Sequence, residues 1–243
     1  MADFSPMMKQ YFEAKKENPD SILFFRLGDF YEMFFNDAKT VSRELDLTLT
    51  GRDCGQGERA PMCGIPFHSA EGYITKLLAK GYRVTICDQV EDPKTVKGLV
   101  KREVVRVITP GTVLEGSMLD ESRNNYICSV CRGEEGVGLC FADVSTGELH
   151  AEQLEPMEDV RELTRELENR ISRFSPKELL TDEGIGEISE LGAFFRDKLQ
   201  AAVQRLDKEE YNLSRAGETV SKQFGGRSLE DLGLSGRPMA VTA

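Results

Sequence analysis

The fold is decided by residues 22–34, which read Ile22-Leu-Phe-Phe-Arg-Leu-Gly-Asp-Phe-Tyr-Glu-Met-Phe34. The short apolar run before Gly28 is typical of a buried strand. Asp29 is a good helix N-cap, and Glu32 follows three residues later as in a capping box. We therefore predict a strand over 22–27 and a helix from Asp29 to about Leu45. By its spacing alone, Phe30 falls on the apolar stripe of that helix and is expected in the core.

The flanking sequence predicts a first domain over residues 1–109. Residues 51–60 are rich in glycine and charge and predict a loop. Residues 61–66 contain two prolines, which disfavours a central strand. The other predicted elements are helices over 6–16 and 69–80 and strands over 47–50, 82–89 and 103–109. Strands that alternate with helices indicate an α/β fold with a mixed sheet.

The second half predicts another domain over residues 125–243, after a linker over 110–124. Successive strands with glycine-containing turns between them indicate an antiparallel meander. Further helices and one more strand follow the meander. The predicted elements are strands over 126–130, 137–143, 148–153 and 178–180 and helices over 157–173, 187–199 and 204–211. The last residues carry no helix cap, so we expect a chain truncated at its C-terminus.

The charge is unevenly divided between the two halves. The chain has 31 Lys and Arg against 42 Asp and Glu, a net charge of −11. Residues 1–109 hold 16 of each sign, so residues 110–243 hold 15 basic and 26 acidic residues and carry the whole −11. Only the first half is therefore suited to face the phosphates of a nucleic acid, and it needs a local basic surface to do so.

Composition excludes several other classes of protein. No apolar run approaches the length of a membrane helix, and the N-terminus resembles neither a secretory signal nor a transit peptide. We therefore expect a cytoplasmic protein with no membrane partner. Among six cysteines, Cys128 and Cys131 have the spacing of half a zinc site, but no second pair exists. Reduced, partly buried thiols and no bound metal are the expectation.

Three motifs with matched order and spacing carry a family resemblance. They are Gly28-Asp-Phe-Tyr-Glu32, Pro61-Met-Cys-Gly-Ile-Pro-Phe-His68 and Arg106-Val-Ile-Thr-Pro-Gly-Thr112. Together they resemble the MutS family of DNA mismatch repair proteins, from about Pro6 to at least Gly233. The resemblance implies a mismatch-recognition domain followed by an RNase H-like connector domain. Mismatched double-stranded DNA is the implied partner.

The family's Phe-X-Glu motif falls on residues 30–32. The resemblance implies that Phe30 enters the minor groove and stacks on a mispaired base, and that Glu32 hydrogen-bonds to that base. Met33 and Pro66 are expected to pack beside this wedge. A wedge must partly unstack a base step, which costs less at a mispair than in matched duplex. Such a residue therefore senses deformability, and the core interpretation of Phe30 becomes the weaker alternative.

Affinity for DNA has to come mainly from contacts with phosphates. The candidates are Arg52 in the predicted glycine-rich loop and Lys101-Arg102 before the last strand of the first domain. A solvated charged surface is the alternative explanation for each of them.

The resemblance also implies what lies outside this chain. No G-x-x-x-x-G-K-[ST] phosphate loop occurs, so we expect no ATPase activity and no cofactor here. ATP and magnesium belong to the full-length family protein, which is expected to be a homodimer and to meet a MutL-type protein through the connector. Two alternatives stay open. One is a protein-interaction module that does not bind DNA, and the other is a metal-dependent nuclease using Asp143.

Overall fold

A computed structural model describes residues 4–55, 59–91, 98–120 and 122–243. The chain forms two compact units, Met1–Thr109 and Pro110–Ala243. Each unit has one mixed sheet with helices packed on it, which confirms the predicted two-domain α/β class. Among the described residues, no helix combines the length and apolar character needed to cross a membrane.

Unit 1 is a six-stranded sheet in the order β3-β4-β2-β1-β5-β6. β1 and β5 run parallel, and the other neighbouring strands are antiparallel. The strands are β1 (Ile22–Leu27), β2 (Phe30–Phe34), β3 (Thr50–Asp53), β4 (Arg59–Pro66), β5 (Val84–Gln89) and β6 (Arg102–Ile108). The helices are α1 (Pro6–Glu17), α2 (Phe35–Leu45) and α3 (Ala70–Leu78).

The core of unit 1 lies on both faces of its sheet. On one face, α1 buries Met8, Tyr11 and Ala14 together with Phe25 and Phe34 of the strands. The Tyr11 ring meets the Phe34 ring edge-on at 5.2 Å. On the other face α2 packs on β4. We refer to the face that α1 covers as the α1 face.

The predicted helix over 29–45 is wrong in its first third. Residues 30–34 form β2, and α2 begins only at Phe35. Asp29 is not the N-cap, a position taken by Phe34 without a side-chain cap bond. Gly28 turns the chain at φ +60°, and β2 pairs with both β1 and β4. The aromatic residues of this segment have high strand propensity, and ladder bonds on both sides outweigh the local capping signal.

Two further predictions for unit 1 are corrected. Residues 50–53, expected partly as a loop, form β3, and the proline-rich segment forms β4 between β3 and β2. Pro61 pairs only with Gly51 of β3, and Pro66 pairs only with Phe30 of β2. Each proline therefore has one open side for the position that lacks an N–H, and an inner strand tolerates both.

Unit 2 is a five-stranded sheet in the order β11-β10-β7-β8-β9. The predicted meander is confirmed, and β10 and β11 continue the sheet in parallel with β7. The strands are β7 (Ile127–Gly133), β8 (Gly136–Asp143), β9 (Glu148–Leu154), β10 (Glu178–Thr181) and β11 (Ala202–Arg205). The helices are α4 (Val160–Phe174), α5 (Glu183–Gly186), α6 (Ser189–Ala193), α7 (Leu213–Gln223) and α8 (Pro238–Thr242).

Two helix predictions in unit 2 fail. The helix expected over 187–199 is divided into α6 and a π-helical segment, Phe194–Leu199. The helix expected over 204–211 is replaced by β11 and a short 3₁₀ turn, Lys208–Glu210. A short helix is only marginally stable by itself, and pairing of β11 with β10 adds this segment to the sheet, so tertiary pairing overrides local propensity.

The start of the predicted linker is packed into unit 2. The Gly111 N–H donates to the buried Glu178 carboxylate at 3.0 Å. A Cβ at Gly111 would lie 2.8 Å from the Ile127 Cβ, so this close approach requires glycine. The side-chain amide nitrogen of Asn125 donates a hydrogen bond to the Pro110 carbonyl at 3.0 Å. Residues 110–111 are therefore part of the second unit and not a free tether.

Candidate functional site

Phe30 lies on the α1 face of the sheet. It is the first residue of β2, and 46% of its surface is exposed. Pro66 lies directly opposite it on β4. The turn before Phe30 is held by a hydrogen bond from the Phe67 N–H to the Asp29 carbonyl, at 3.0 Å. The expectation of a core position for Phe30 is therefore wrong, because nearly half of its surface is exposed at the start of β2.

Glu32 lies on the same face as Phe30, because side chains two residues apart in a strand point the same way. Its carboxylate accepts a hydrogen bond from the Arg52 guanidinium, with 2.6 Å between Oε2 and Nη1. The Glu32 side chain is 14% exposed and that of Arg52 is 40% exposed. Arg52 extends from β3, so an ion pair joins two strands that are not neighbours in the sheet.

Gly64 lies directly opposite Glu32 on β4 and is diagonal to Phe30. A Cβ at this position would be 3.5 Å from the Glu32 Cγ and 3.9 Å from the nearest Phe30 ring atom. An added Cβ would therefore make ordinary van der Waals contact with both side chains, and glycine leaves this methyl-sized space unfilled.

The Arg102 side chain points toward the interior of unit 1. Its guanidinium donates to the Arg26 carbonyl at 2.6 Å and to the Val100 carbonyl at 2.8 Å, and it lies over the Phe25 ring. Burial lowers the pKa of this guanidinium, and the nearby Arg52 charge adds to the effect. These bonds give Arg102 a structural role on the α1 face. Contacts of Arg102 and of the exposed Lys101 with phosphate stay predictions.

Met33 does not belong to this surface. It is fully buried on the opposite face of the sheet, where it pairs with Cys63 of β4. It was expected to pack beside Phe30, as it could if residues 30–34 were helical. In a strand, residues three apart point to opposite faces, so Met33 supports the sheet from behind and has no access to a ligand.

A cluster behind the Phe30 turn was missed at the level of sequence. The Arg26 guanidinium lies 3.5 Å from the centre of the Phe67 ring and 3.7 Å from the Asp88 carboxylate. Tyr31 donates its hydroxyl hydrogen to Asp88 at 2.8 Å, and burial raises the pKa of Tyr31 to about 12. The signal was an arginine inside an apolar strand. The cluster braces the turn that presents Phe30.

Asp143 is the acid on which the nuclease alternative depends. It is buried, and it accepts hydrogen bonds from the Ser145 N–H at 2.9 Å, the Ser145 hydroxyl at 2.6 Å and the Asn125 N–H at 3.1 Å. Burial raises the pKa of Asp143, but these bonds outweigh it and the pKa lies below its ordinary 3.8. In the described part of the chain, no three metal-ligating side chains gather into a site. Asp143 closes the β8–β9 turn.

Cys128 and Cys131 do not face each other. They are three residues apart on β7, so Cys128 points into the core beneath α4 and Cys131 points toward α8, where its sulfur lies 3.8 Å from the Met239 carbonyl. Burial raises the pKa of Cys131 to about 12 and that of Cys128 well above its ordinary value. Both are therefore buried thiols on opposite faces, unsuited to sharing one metal ion.

The fold and the site define a class of protein with two mixed α/β units, the first of which presents an exposed aromatic residue beside an acid on a sheet face. Two family models match the chain in sequence, MutS domain I over residues 5–117 and MutS domain II over residues 125–243. The chain belongs to the MutS family.

Curated relatives agree with this assignment. The chain is 44% identical over 243 residues to the DNA mismatch repair protein MutS of Lachnoclostridium phytofermentans, covering 100% of this chain and 25% of that protein. It is 50% identical over 198 residues to the DNA mismatch repair protein MutS of Acetivibrio thermocellus, covering 82% of this chain and 21% of that protein. The chain thus spans about a quarter of the length of such relatives.

Proposed function

We propose that this chain senses mispaired or unpaired bases in double-stranded DNA and serves in mismatch repair. The observation that carries the proposal is the exposed Phe30 ring on a rigid strand, with the Glu32 carboxylate two residues later on the same face. The chain's place in the MutS family and the names of its relatives as mismatch repair proteins support the same function.

The Phe30 ring is suited to act as a wedge. An apolar side chain inserted from the minor groove unstacks a base step at a cost of roughly a few kcal/mol. A mispaired step has already lost part of its pairing and stacking energy, so the wedge enters there at lower cost. Since β2 is held between β1 and β4, the ring is presented without loss of backbone freedom on binding.

Glu32 is suited to act as a filter against intact duplex. A carboxylate near phosphates is repelled unless a donor satisfies it, and the pairing-edge donors of matched bases are already occupied. In the free protein Arg52 supplies that donor at 2.6 Å. On binding, a mispaired base takes over part of this role, and Arg52 becomes available to a neighbouring phosphate.

The activity and partners of a full-length MutS protein are proposals here as well. We infer that ATP and magnesium bind outside the region that this chain matches, that the full-length protein is a homodimer, and that unit 2 relays the DNA-bound state to a MutL-type protein. The sequence relationship over a quarter of the relatives' length supports these inferences.

Phe30→Ala tests the wedge. Wild-type chain is titrated into fluorescent matched and G·T-containing duplexes, at about 50 mM and about 200 mM salt. We expect the wild type to prefer the G·T duplex and to weaken as salt rises. Stacking of one base on an aromatic ring contributes about 1–3 kcal/mol. The variant should therefore lose most of the preference for the mispair, by about five-fold or more.

Phe224→Ala is the matched control, since Phe224 is 40% exposed and belongs to unit 2. It should bind both duplexes as the wild type does. If the wild type binds no DNA, or binds both duplexes equally, the chain does not sense mispairs and a protein-interaction module is favoured. If Phe30→Ala instead lowers the melting temperature strongly, the ring has a structural role.

A further inference from the structure

Gly64 differs from the other strand glycines of the described chain in lacking a structural reason to be glycine. The other four either have φ in the left-handed region or would bring a Cβ within 3.2 Å of another atom; they are Gly51, Gly133, Gly136 and Gly138. At Gly64 the nearest atoms to an added Cβ are at 3.4 Å and beyond, and φ is not positive. The fold would accept alanine there.

A glycine inside a strand carries a cost, because it loses more backbone freedom on folding than alanine does. Where the protein would give an added Cβ only ordinary van der Waals contacts, close approach of a ligand is a reason for such a glycine. The position that a Cβ of Gly64 would occupy is bounded by the Phe30 ring, with a ring atom 3.9 Å away, and by the Glu32 Cγ, 3.5 Å away. It is therefore the space between the two groups that the proposed function assigns to base recognition.

We propose that Gly64 is a specificity-determining residue whose bare backbone forms the floor of a seat for the edge of a mispaired or unpaired base. This inference rests on the proposed function. A base that stacks on the Phe30 ring and reaches the Glu32 carboxylate has to pass over Gly64, which lies opposite Glu32 in the strand pairing. A methyl group at Gly64 projects into that path.

Gly64→Ala tests the seat with two duplexes that differ only in one base. One duplex carries an unpaired thymine and the other carries an abasic analogue at the same position. We expect the variant to bind the unpaired-thymine duplex about five-fold more weakly or worse, as overpacking of a close contact does. Binding to the abasic duplex should be unchanged, because no base occupies the seat.

Thermal stability separates this role from a structural one. The melting temperature of Gly64→Ala should equal or exceed that of the wild type, since alanine restricts the unfolded chain. Gly72→Ala, in α3 with open space around it, is the control and should leave binding to both duplexes unchanged.

Two results would contradict the proposed role of Gly64 as the floor of a base-binding seat. One is equal weakening on both duplexes, and the other is unchanged binding to the unpaired thymine. If Phe30→Ala loses mispair preference while Gly64→Ala binds normally, the seat is wrong and the proposed function stands. If neither variant changes preference, both fail.

Discussion

The two units carry the same short pattern, an aromatic residue two positions before an acid on one strand. In unit 1 the pair is Phe30 and Glu32 on β2, and in unit 2 it is Phe141 and Asp143 on β8. Phe141 is buried and stacks on the Phe174 ring with centroids 4.0 Å apart. Phe30 is nearly half exposed. The same spacing therefore makes a core element in one sheet and a surface in the other.

The strand glycines near these pairs also differ, with Gly64 on the same face as Phe30 and Gly138 on the face of β8 opposite Phe141. A Cβ at Gly138 of β8 would lie 1.9 Å from the Met239 carbonyl oxygen, because α8 packs directly on that strand. Gly64 of β4 has no such neighbour. In unit 2 the aromatic ring, the acid and the glycine are all engaged by the chain itself. In unit 1 Phe30 is nearly half exposed and Glu32 is paired with the partly exposed Arg52, so both side chains can still contact another molecule.

The largest expected effect contrasts the two aromatic residues. Phe141→Ala removes a fully buried ring and should lower the free energy of unfolding of unit 2 by about 3–5 kcal/mol. Phe30→Ala should change that of unit 1 by no more than about 0.5 kcal/mol, as surface substitutions do. Urea unfolding followed by circular dichroism measures both. Comparable losses of unfolding free energy in the two variants would show that the two aromatic residues do not differ in structural role.

An intermediate effect is expected at Asp143. Asp143→Asn replaces an acceptor oxygen with a donor facing the N–H groups of the turn, and should cost about 1–3 kcal/mol at about pH 7. Because the folded-state pKa of Asp143 lies below its ordinary 3.8, its stabilisation is present above that value and is lost as pH falls through the lower, folded-state pKa. When unfolding is measured from about pH 7 to about pH 3, the difference in unfolding free energy between the variant and the wild type should become smaller. A difference independent of pH would contradict this assignment.

The smallest effect is expected at the ion pair of unit 1. Glu32→Ala should raise affinity for matched duplex a few-fold and narrow the difference from mispaired duplex, since the repelling carboxylate is gone. Stability should change by less than about 1 kcal/mol, because the pair with Arg52 is partly exposed. An unchanged ratio of the two affinities would show that Glu32 does not contribute to the discrimination between matched and mispaired duplex.

Arg52→Ala separates the two members of that pair. It should weaken binding to both duplexes alike and make the salt dependence shallower by about one unit of slope, as loss of one phosphate contact does. A change in mispair preference without a change in salt dependence would show that Arg52 acts only by holding Glu32.

Much of the fold follows from local pattern. α1, β1 and the β7–β9 meander lie within a few residues of where periodicity predicts them. The prediction failed at β2, where Phe30, Met33 and Phe34 fit a helical stripe as well as an alternating strand. It failed again at β4, because proline content argued against an inner strand. In both places the deciding interaction is a ladder to a segment some thirty residues away, which no local window contains.

The candidate site shows the same division. Pattern alone placed Phe30 in the core, and only the family motif singled it out together with Glu32. The pairing of Glu32 with Arg52 and the position of Gly64 opposite Glu32 had no signal in the sequence. They depend on three strands that are brought together by folding and are separate along the chain.

The sequence by itself determined the α/β class, the neutral first half beside an acidic second half, and the family motifs, because composition and short spacings are properties of the chain read in order. The tertiary structure alone decided which aromatic–acid pair is buried and which is exposed. Burial depends on what packs above a strand. A helix covers the Phe141 side of β8, whereas Phe30 lies outside the core cluster that α1 forms with the first sheet and is nearly half exposed.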